Sequence, residues 1–547
     1  MSKRHFPDLD TFEDIESIDL VQCKAALEDL VGNLEDLTPR RIQAMLRRHP
    51  RADKGLFTRD QLLRVYRYLC ETGEMQFHSR LVRHLQRKPT RTVSGVAPVS
   101  VLTPPHPCQG ECIYCPNHPA APKSYLPNEP GVQRAIRFEY DPYAQTAGRI
   151  QAFENIGHPT DKIELLILGG SWADYPDEFQ EQFILRCFDA MNGTSADSLE
   201  SAHRLNETAP HRNVGLAVET RPDHIVKGSI RRLRQLGATK VQMGVQSLDD
   251  RILALNRRGH TVATTRAAIR RLRLAGFKIV AHWMPNLLGS TPESDLVDFK
   301  QLWEDPALRP DELKIYPCLL VEGTELHSLW LKREYEPYDE ETMVDLLADC
   351  KTLIPPYCRV NRLMRDIPAP DIVGSINKSN LRQIIQRQMA QKGSVCRCIR
   401  CREIRDSPID LGALQLTVHS YDTDVTQEHF LTWETGEGNI AGLLRLSLPQ
   451  IAPEMAELAG CAMVRELHIY GPALQLGKRG DGSAQHSGLG TRLLSEARRI
   501  AVESGYRHLA VIAAVGTRPY YRERGFELVK TFMMAQVSEE PLDGGEL

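Results

Sequence analysis

The 547-residue chain has no apolar run long enough to span a membrane. Its first residues, M-S-K-R-H-F-P-D-L-D, are not followed by the apolar core of a secretion signal, so the expected compartment is the cytoplasm. There is no internal repeat and no extended low-complexity segment. Net charge is nearly absent too, with 68 Lys and Arg against 71 Asp and Glu. What remains is an ordinary soluble composition, 41% hydrophobic and 25% charged, long enough for about three domains with real cores. The 13 cysteines do not read as a disulfide framework. They gather in metal-type clusters, which fits a reducing interior.

The first cluster is C-Q-G-E-C-I-Y-C, with Cys108, Cys112 and Cys115 in C-x3-C-x2-C spacing and Tyr114 just before the third cysteine. Three thiolates in eight residues can hold three irons of a 4Fe–4S cluster and leave the fourth iron open. The competing reading is a zinc knuckle with a distant fourth ligand. The second cluster is V-C-R-C-I-R-C, with Cys396, Cys398 and Cys401. Structural zinc prefers four closed ligands. Cys318 in K-I-Y-P-C is the expected fourth, because it ends a predicted strand and can face the same linker. The scattered Cys23, Cys70, Cys187, Cys350, Cys358 and Cys461 read as small buried hydrophobes.

The near-zero charge conceals an asymmetry. Residues 1–37 carry ten acidic and three basic side chains, residues 40–91 fourteen basic and four acidic, and residues 362–405 ten basic and three acidic. Local basic surface on a near-neutral chain is the footprint of a polyanion. Arg47, Arg48, Arg64 and Arg67 are the expected nucleic-acid contacts; the alternative is a solvated helix face.

Residues 1–88 read as basic helices, with a start signal at Thr58 and apolar residues at helical spacing at Leu62, Leu63, Tyr66 and Leu69. Residues 89–360 alternate short apolar strands with helical runs. I-E-L-L-I-L-G-G, N-V-G-L-A-V-E-T-R-P, K-V-Q-M-G-V-Q-S, F-K-I-V-A-H-W-M-P-N and L-K-I-Y-P-C predict a parallel sheet. Polar residues gather at the strand C-termini, which suits a partial (β/α) barrel with its site there. Residues 361–405 form a basic linker that holds the second cysteine cluster. Residues 406–547 read as a separate α/β domain. In it a strand, V-R-E-L-H-I-Y-G, precedes the glycine-rich turn Q-H-S-G-L-G (Gln485–Gly490) and a helix. Backbone N–H groups of such a turn, with the helix N-terminus, can cradle a pyrophosphate.

These motifs carry resemblances. The first cysteine loop resembles that of radical S-adenosylmethionine enzymes. The strand, the Q-x-x-G-x-G turn and Y-Y-R-E-R-G-F together resemble the acyl-CoA site of GNAT N-acetyltransferases. The pairing of the two, with R-A-I-R-F-E-Y-D-P-Y, T-R-P-D-H and R-R-G-H-T-V, is similar to the Elongator catalytic subunit family in its stand-alone prokaryotic form. The short Cys108–Cys112 spacing departs from the longer spacing of eukaryotic members without weakening the cluster.

The resemblance implies a radical enzyme that places a carboxymethyl group, taken from acetyl-CoA, on carbon-5 of the wobble uridine of tRNA. Its cofactors would be a 4Fe–4S cluster, S-adenosylmethionine and zinc, and its partners the tRNA anticodon stem-loop and an electron donor. Gly169, Gly170, Glu219, Arg221, Gln242 and Gln246 are the candidate S-adenosylmethionine contacts. Each can instead be an ordinary strand-end turn or barrel residue. For acetyl-CoA the family's positions carry over onto Lys162, Glu466, Leu467, His468, Ile469, Gln485, Gly488, Leu489, Gly490, Thr491 and Tyr521. Lys162 and Tyr521 are also the catalytic candidates, with Tyr521 near the thioester and Tyr520 assigned to the core; solvation at the surface is the alternative for Lys162. The competing functions are a protein lysine acetyltransferase with a structural cysteine domain, and a tRNA-binding scaffold.

Overall fold

The computed structural model describes residues 15, 18–51, 53, 55–86, 92, 94–374, 378, 380–404, 410–471 and 488–537. Among the described residues the N-terminal region holds four α-helices, Leu20–Gly32, Pro39–Leu46, Arg59–Glu71 and Ser79–Leu85. Their starts follow from local chemistry. The Asp19 carboxylate accepts from the Gln22 N–H, Thr38 precedes Pro39 at the first helical position, and Thr58 and Gln61 form a reciprocal capping box. Leu27, Leu30, Leu62, Tyr66, Leu69 and Leu81 close a core of their own.

The central sheet has seven parallel strands whose spatial order is their chain order: β1 (Ala97–Leu102), β2 (Lys162–Leu168), β3 (Arg212–Thr220), β4 (Lys240–Gln246), β5 (Lys278–Trp283), β6 (Glu312–Ile315) and β7 (Arg359–Arg362). It is the expected partial barrel. Alternation along β2 shows why: Ile163, Leu165 and Ile167 enter the core with Phe183, Phe188 and Leu216, while Lys162, Glu164, Leu166 and Leu168 face an inner cavity. The boundary expected at residue 360 falls inside β7, so the basic linker begins as the last barrel strand. The following helix, Leu381–Gln391, packs on helix Glu340–Thr352. R-V-N-R offers one apolar residue, so pairing with β6, and not pattern, makes it a strand.

The second sheet runs β13 (Glu527–Val529), β14 (Phe532–Gln536), β12 (His508–Val511), β11 (Cys461–Ile469), β10 (Ile440–Pro449), β9 (Thr426–Glu434), β8 (Gln415–Asp422). β11 and β12 are parallel but pair only over Cys461–Val464 and His508–Val511. Beyond Val464 the two strands splay. Helix Leu489–Glu503 covers this sheet through Leu493, Leu494, Ala497 and Ala501.

The second sheet docks at the N-terminal ends of the barrel strands. Arg465 of β11, fully buried, donates to both Asp311 carboxylate oxygens (2.8 and 2.5 Å), to Glu428 (3.0 Å) and to the Phe277 carbonyl (2.9 Å). Among the described residues no helix is long and apolar enough to cross a membrane.

Candidate functional site

The cysteine loop follows β1 at the C-terminal end of the barrel. The Gly110 N–H donates to Cys108 Sγ (3.3 Å), and Arg258 Nη1 to Cys112 Sγ (3.4 Å). Arg221 holds Asp223 through Nε and Nη2 (3.0 and 2.8 Å) and the Arg258 carbonyl through Nη2 (2.9 Å), while its buried Nη1 has no hydrogen-bond partner. A Cβ on Gly110 would lie 2.2 Å from that Nη1, so only glycine lets the loop approach the guanidinium. Two buried arginines thus back three thiols, a setting that suits an anionic thiolate-ligated cluster. Spacing separates the two cysteine groups. The sulfurs of Cys396, Cys398 and Cys401 lie within 4.8 Å of one another, and Cys108, Cys112 and Cys115 do not form such a group. A tetrahedral zinc with Zn–S bonds of 2.3 Å sets its sulfurs about 3.8 Å apart. The second group therefore fits one ion, and the first suits a larger cluster.

Gly169, at the end of β2, has φ +137°, and a Cβ there would fall 2.0 Å from Thr103 Oγ1. Glycine is required on both counts. Glu219 meets His282 Nδ1 at 3.3 Å, and His282 Nε2 lies 3.4 Å from Gln242 Oε1. Burial opposes ionisation of Glu219, but His282, Lys314 and Arg365 outweigh it and hold the carboxyl at about 2. Burial and Lys314 lower His282 to about 4, so its ring is neutral near pH 7. Gln246 sits at φ +70° with a buried, unpartnered Oε1. Gly169, Glu219, Gln242 and Gln246 line the inner cavity, whose volume is about 2080 Å³; Gly170 and Arg221 do not. Arg221 instead supports the cysteine loop from behind. Arg258, in R-R-G-H-T-V, carries no local signal of its place, because its role rests on a contact 146 residues away in the chain.

The same cavity reaches the second sheet. Leu467 and Ile469 turn toward Gly490, at 3.9 and 3.7 Å from a Cβ placed there. Glu466 and His468 share the opposite face, as alternation predicted, and turn to the barrel. Glu466 pairs with Lys278 and with Arg445 (2.8 Å), and His468 Nε2 meets the Ser94 carbonyl oxygen (3.0 Å). Where β11 and β12 splay, Glu466–Tyr470, Ala513 and Ala514 line the cavity, so an amide chain can add beside the open edge of β11. Gly488 (φ +81°) opens helix Leu489–Glu503. Arg524 Nε donates to Thr491 Oγ1 (3.1 Å), and its guanidinium lies 3.6 Å from the Tyr520 ring centroid. Helix N-terminus and arginine together offer an anion site. Gln485 lies outside the described residues.

Two expectations, those for Tyr520 and Cys318, are corrected by the structure. Tyr520 is not the core tyrosine: Tyr521 is the more buried of the two and packs against Phe526, the Tyr520 hydroxyl lies 2.9 Å from a Cβ placed on Gly490, and both residues line the cavity. For Lys162, expected as an acyl-CoA position with surface solvation as the alternative, the structure disfavours the alternative. Lys162 lines the cavity, and burial and neighbouring Arg212 lower its pKa against the pull of Asp161. Cys318 is not the fourth ligand of the second cluster. It lies in a separate core with Ile113, Leu320, Leu326 and Tyr335. The reason is strand direction: residues after β6 emerge at the cysteine-loop end, and residues before β7 at the other. Cys358 is on that other side, and its carbonyl accepts from the Ile399 N–H (2.9 Å).

Arg47 and Arg48 are exposed, Arg48 lying 3.5 Å from Asp29. Arg64 and Arg67 are half-buried. Burial lowers the Arg67 pKa, and Glu154 of helix Pro142–Asn155 opposes this. Arg67 therefore faces the barrel domain more than solvent.

A parallel half-barrel carrying a three-cysteine loop at its C-terminal end defines a radical S-adenosylmethionine protein. Residues 103–300 match the Radical SAM superfamily and residues 310–391 the Radical_SAM C-terminal domain. The chain is 46% identical over 454 residues to a tRNA uridine(34) acetyltransferase of Dehalococcoides mccartyi, covering 82% of this chain and 99% of the relative. It is 38% identical to Elongator complex protein 3 of Danio rerio, covering 84% and 87%. Its structure matches the archaeal Methanocaldococcus infernus Elp3 with a TM-score of 0.71 and 38% identity, covering 81% of this chain and 99% of that one. The chain belongs to the family of tRNA uridine(34) acetyltransferases and Elongator complex protein 3.

Proposed function

We propose that this chain modifies the wobble uridine of tRNA: the methyl carbon of acetyl-CoA and carbon-5 of the uracil each lose a hydrogen and are joined, S-adenosylmethionine taking up the two electrons, and hydrolysis of the thioester releases CoA and leaves a carboxymethyl group. The observation that carries this reading is the shared cavity. Residues suited to a radical cofactor, Gly169, Glu219, Gln242 and Gln246, and residues suited to an acyl-CoA, Lys162, Leu467, Ile469 and Gly490, line one volume. Carbon-5 of uracil is not acidic and an acetyl methyl is not electrophilic, so joining them suits radical chemistry better than acid–base catalysis. Cys108, Cys112 and Cys115 would hold a 4Fe–4S cluster, which with S-adenosylmethionine and an external one-electron donor would supply the radical chemistry.

The chain's own residues do the rest. Arg221 and Arg258 offset the charge of the thiolates. The β11 edge, Gly488–Thr491 and Arg524 hold the CoA chain and its pyrophosphate. Lys162 and Arg212, side by side on β2 and β3, line the passage from the second sheet into the barrel. Cys396, Cys398 and Cys401 hold a structural zinc with a ligand other than Cys318. Exposed arginines such as Arg47 hold tRNA phosphates, and the uridine leaves an already single-stranded loop at small cost.

The test is anaerobic protein with reductant, S-adenosylmethionine, acetyl-CoA and tRNA, followed by mass analysis of the nucleosides. Carboxymethyluridine that requires S-adenosylmethionine is expected. Acetylated lysine on added protein, with unmodified tRNA, contradicts the reading.

A further inference from the structure

The inner wall of the half-barrel runs unbroken from one end to the other. β2 has seven residues, and at 3.3 Å each it spans roughly 20 Å. At its lower end Lys162 sits in register with Arg212. There the segment Val515–Thr517 of the C-terminal domain packs against β3, a Cβ on Gly516 falling 2.6 Å from Arg212 Cβ. At its upper end stands Gly169.

The two sides of this wall differ. From the β4–β6 side a collar of ion pairs reaches across to Glu164 of β2. Lys240 Nζ meets Glu164 (2.6 Å) and Glu312 (3.2 Å), and Lys278 meets Glu312 (3.5 Å) and Glu466. With Arg445 on Glu466, three carboxylates meet three cations, so the collar needs no ligand to balance it. On the β1–β2 side, Pro98, Ser100, Leu102, Leu166 and Leu168 line the cavity without charge, above Lys162 and above Glu164, whose carboxylate is taken up by Lys240. The volume of about 2080 Å³ is roughly twice the upper end of ordinary small-molecule pockets, near 1,000 Å³.

We propose that this uncharged strip is the binding track for the acyl-thioester end of an acyl-CoA. The nucleotide stays at the N-terminus of helix Leu489–Glu503, and the pantetheine arm passes Lys162 and Arg212 into the lumen toward Gly169. A thioester on a chain of methylenes and amides is uncharged and suits the strip; a phosphate does not. The proposal rests on the acyl-CoA reading above and adds that the acyl group travels on its arm, while the base enters from the opposite mouth.

The test needs no turnover. Full-length protein with tRNA is photolysed with a CoA thioester carrying a diazirine on its acyl end, and the labelled peptides are mapped. Label on the peptides bearing Ser100 or Leu166, competed by acetyl-CoA, is expected. In Ser100→Phe, or in Gly215→Leu on the neighbouring strand, that label should fall at least tenfold while CoA affinity by calorimetry is kept. Gly215→Ala and Gly215→Val complete a size series in case one plug fails to fold. Label confined to β11, β12 and the following helix overturns the track and leaves the acyl-CoA reading standing. Equal lumen labelling across the size series also overturns it. Absence of label anywhere overturns both.

Discussion

Cys112 is buried and takes a hydrogen bond from Arg258, so the middle thiol of the loop has a fixed place beside a cation. With three thiolates for a four-iron cluster, none is spare. Cys112→Ser should abolish iron binding and uridine modification while tRNA affinity survives. Full iron content with full modification in that variant contradicts the assignment. Gly169 is a second single-residue test. An alanine there adopts a left-handed backbone at a cost of about 1–3 kcal/mol and drives its Cβ into Thr103. Gly169→Ala should keep the ultraviolet–visible signature of the cluster and lose S-adenosylmethionine affinity; unchanged affinity by calorimetry removes Gly169 from that site.

Among elements, the barrel strands were legible because each is an apolar run closed by glycine or polar residues, as in I-E-L-L-I-L-G-G. The cysteine loop stands out by spacing alone, and Leu467, Ile469 and Gly490, singled out by resemblance to an acyl-CoA motif, line the cavity. What could not be read depends on long-range pairing. β7 is mostly polar and exists because β6 is beside it. The splay of β11 from β12 is a tertiary fact with no local signal. Cys318 was misplaced because sequence does not say which end of a sheet a strand end faces. Tyr520 and Tyr521 are adjacent on a short helix, Arg518–Arg522, where periodicity cannot choose the buried one. The corrected cysteine assignment makes an element-scale prediction. Cys398→Ser should lower zinc content and thermal stability, because metal affinity contributes directly to folding. Cys318→Ser should leave zinc stoichiometry unchanged. Loss of zinc in the second variant would restore Cys318 as a ligand.

At the scale of the whole molecule, the barrel and the second sheet meet through buried charge. Such pairs gain little when formed, yet removing one partner typically costs about 3–5 kcal/mol because a charge is left uncompensated. Arg465→Met, which strands Asp311 and Glu428, should therefore lower the melting temperature markedly. The seam also sets an acid limit. Burial opposes ionisation of Glu466, but Lys278 and Arg445 hold its carboxyl at about 2, below the ordinary 4.5. Its contribution is present above pH 4.5 and is lost as pH falls from there toward 2. Melting temperature should drop across that window more steeply in the native protein than in Glu466→Gln. Parallel curves contradict the linkage.

The basic N-terminal region adds a polyelectrolyte prediction. Reversing Arg47 and Arg48 should weaken all tRNAs alike and reduce the salt slope by up to about 2, since each phosphate contact contributes about 0.9. An unchanged slope rules out that surface.

The central claim is that an acetyl carbon becomes bonded to the wobble uridine within this one chain. Acetyl-CoA labelled with carbon-13 at the methyl tests it most directly. After anaerobic turnover, the anticodon oligonucleotide is isolated and the uridine read by mass and carbon NMR. The account predicts label in a methylene bonded to carbon-5 of the wobble uridine, dependent on S-adenosylmethionine and lost in Cys112→Ser. Label appearing only in free acetate or on protein lysine, with the uridine unlabelled, would contradict it.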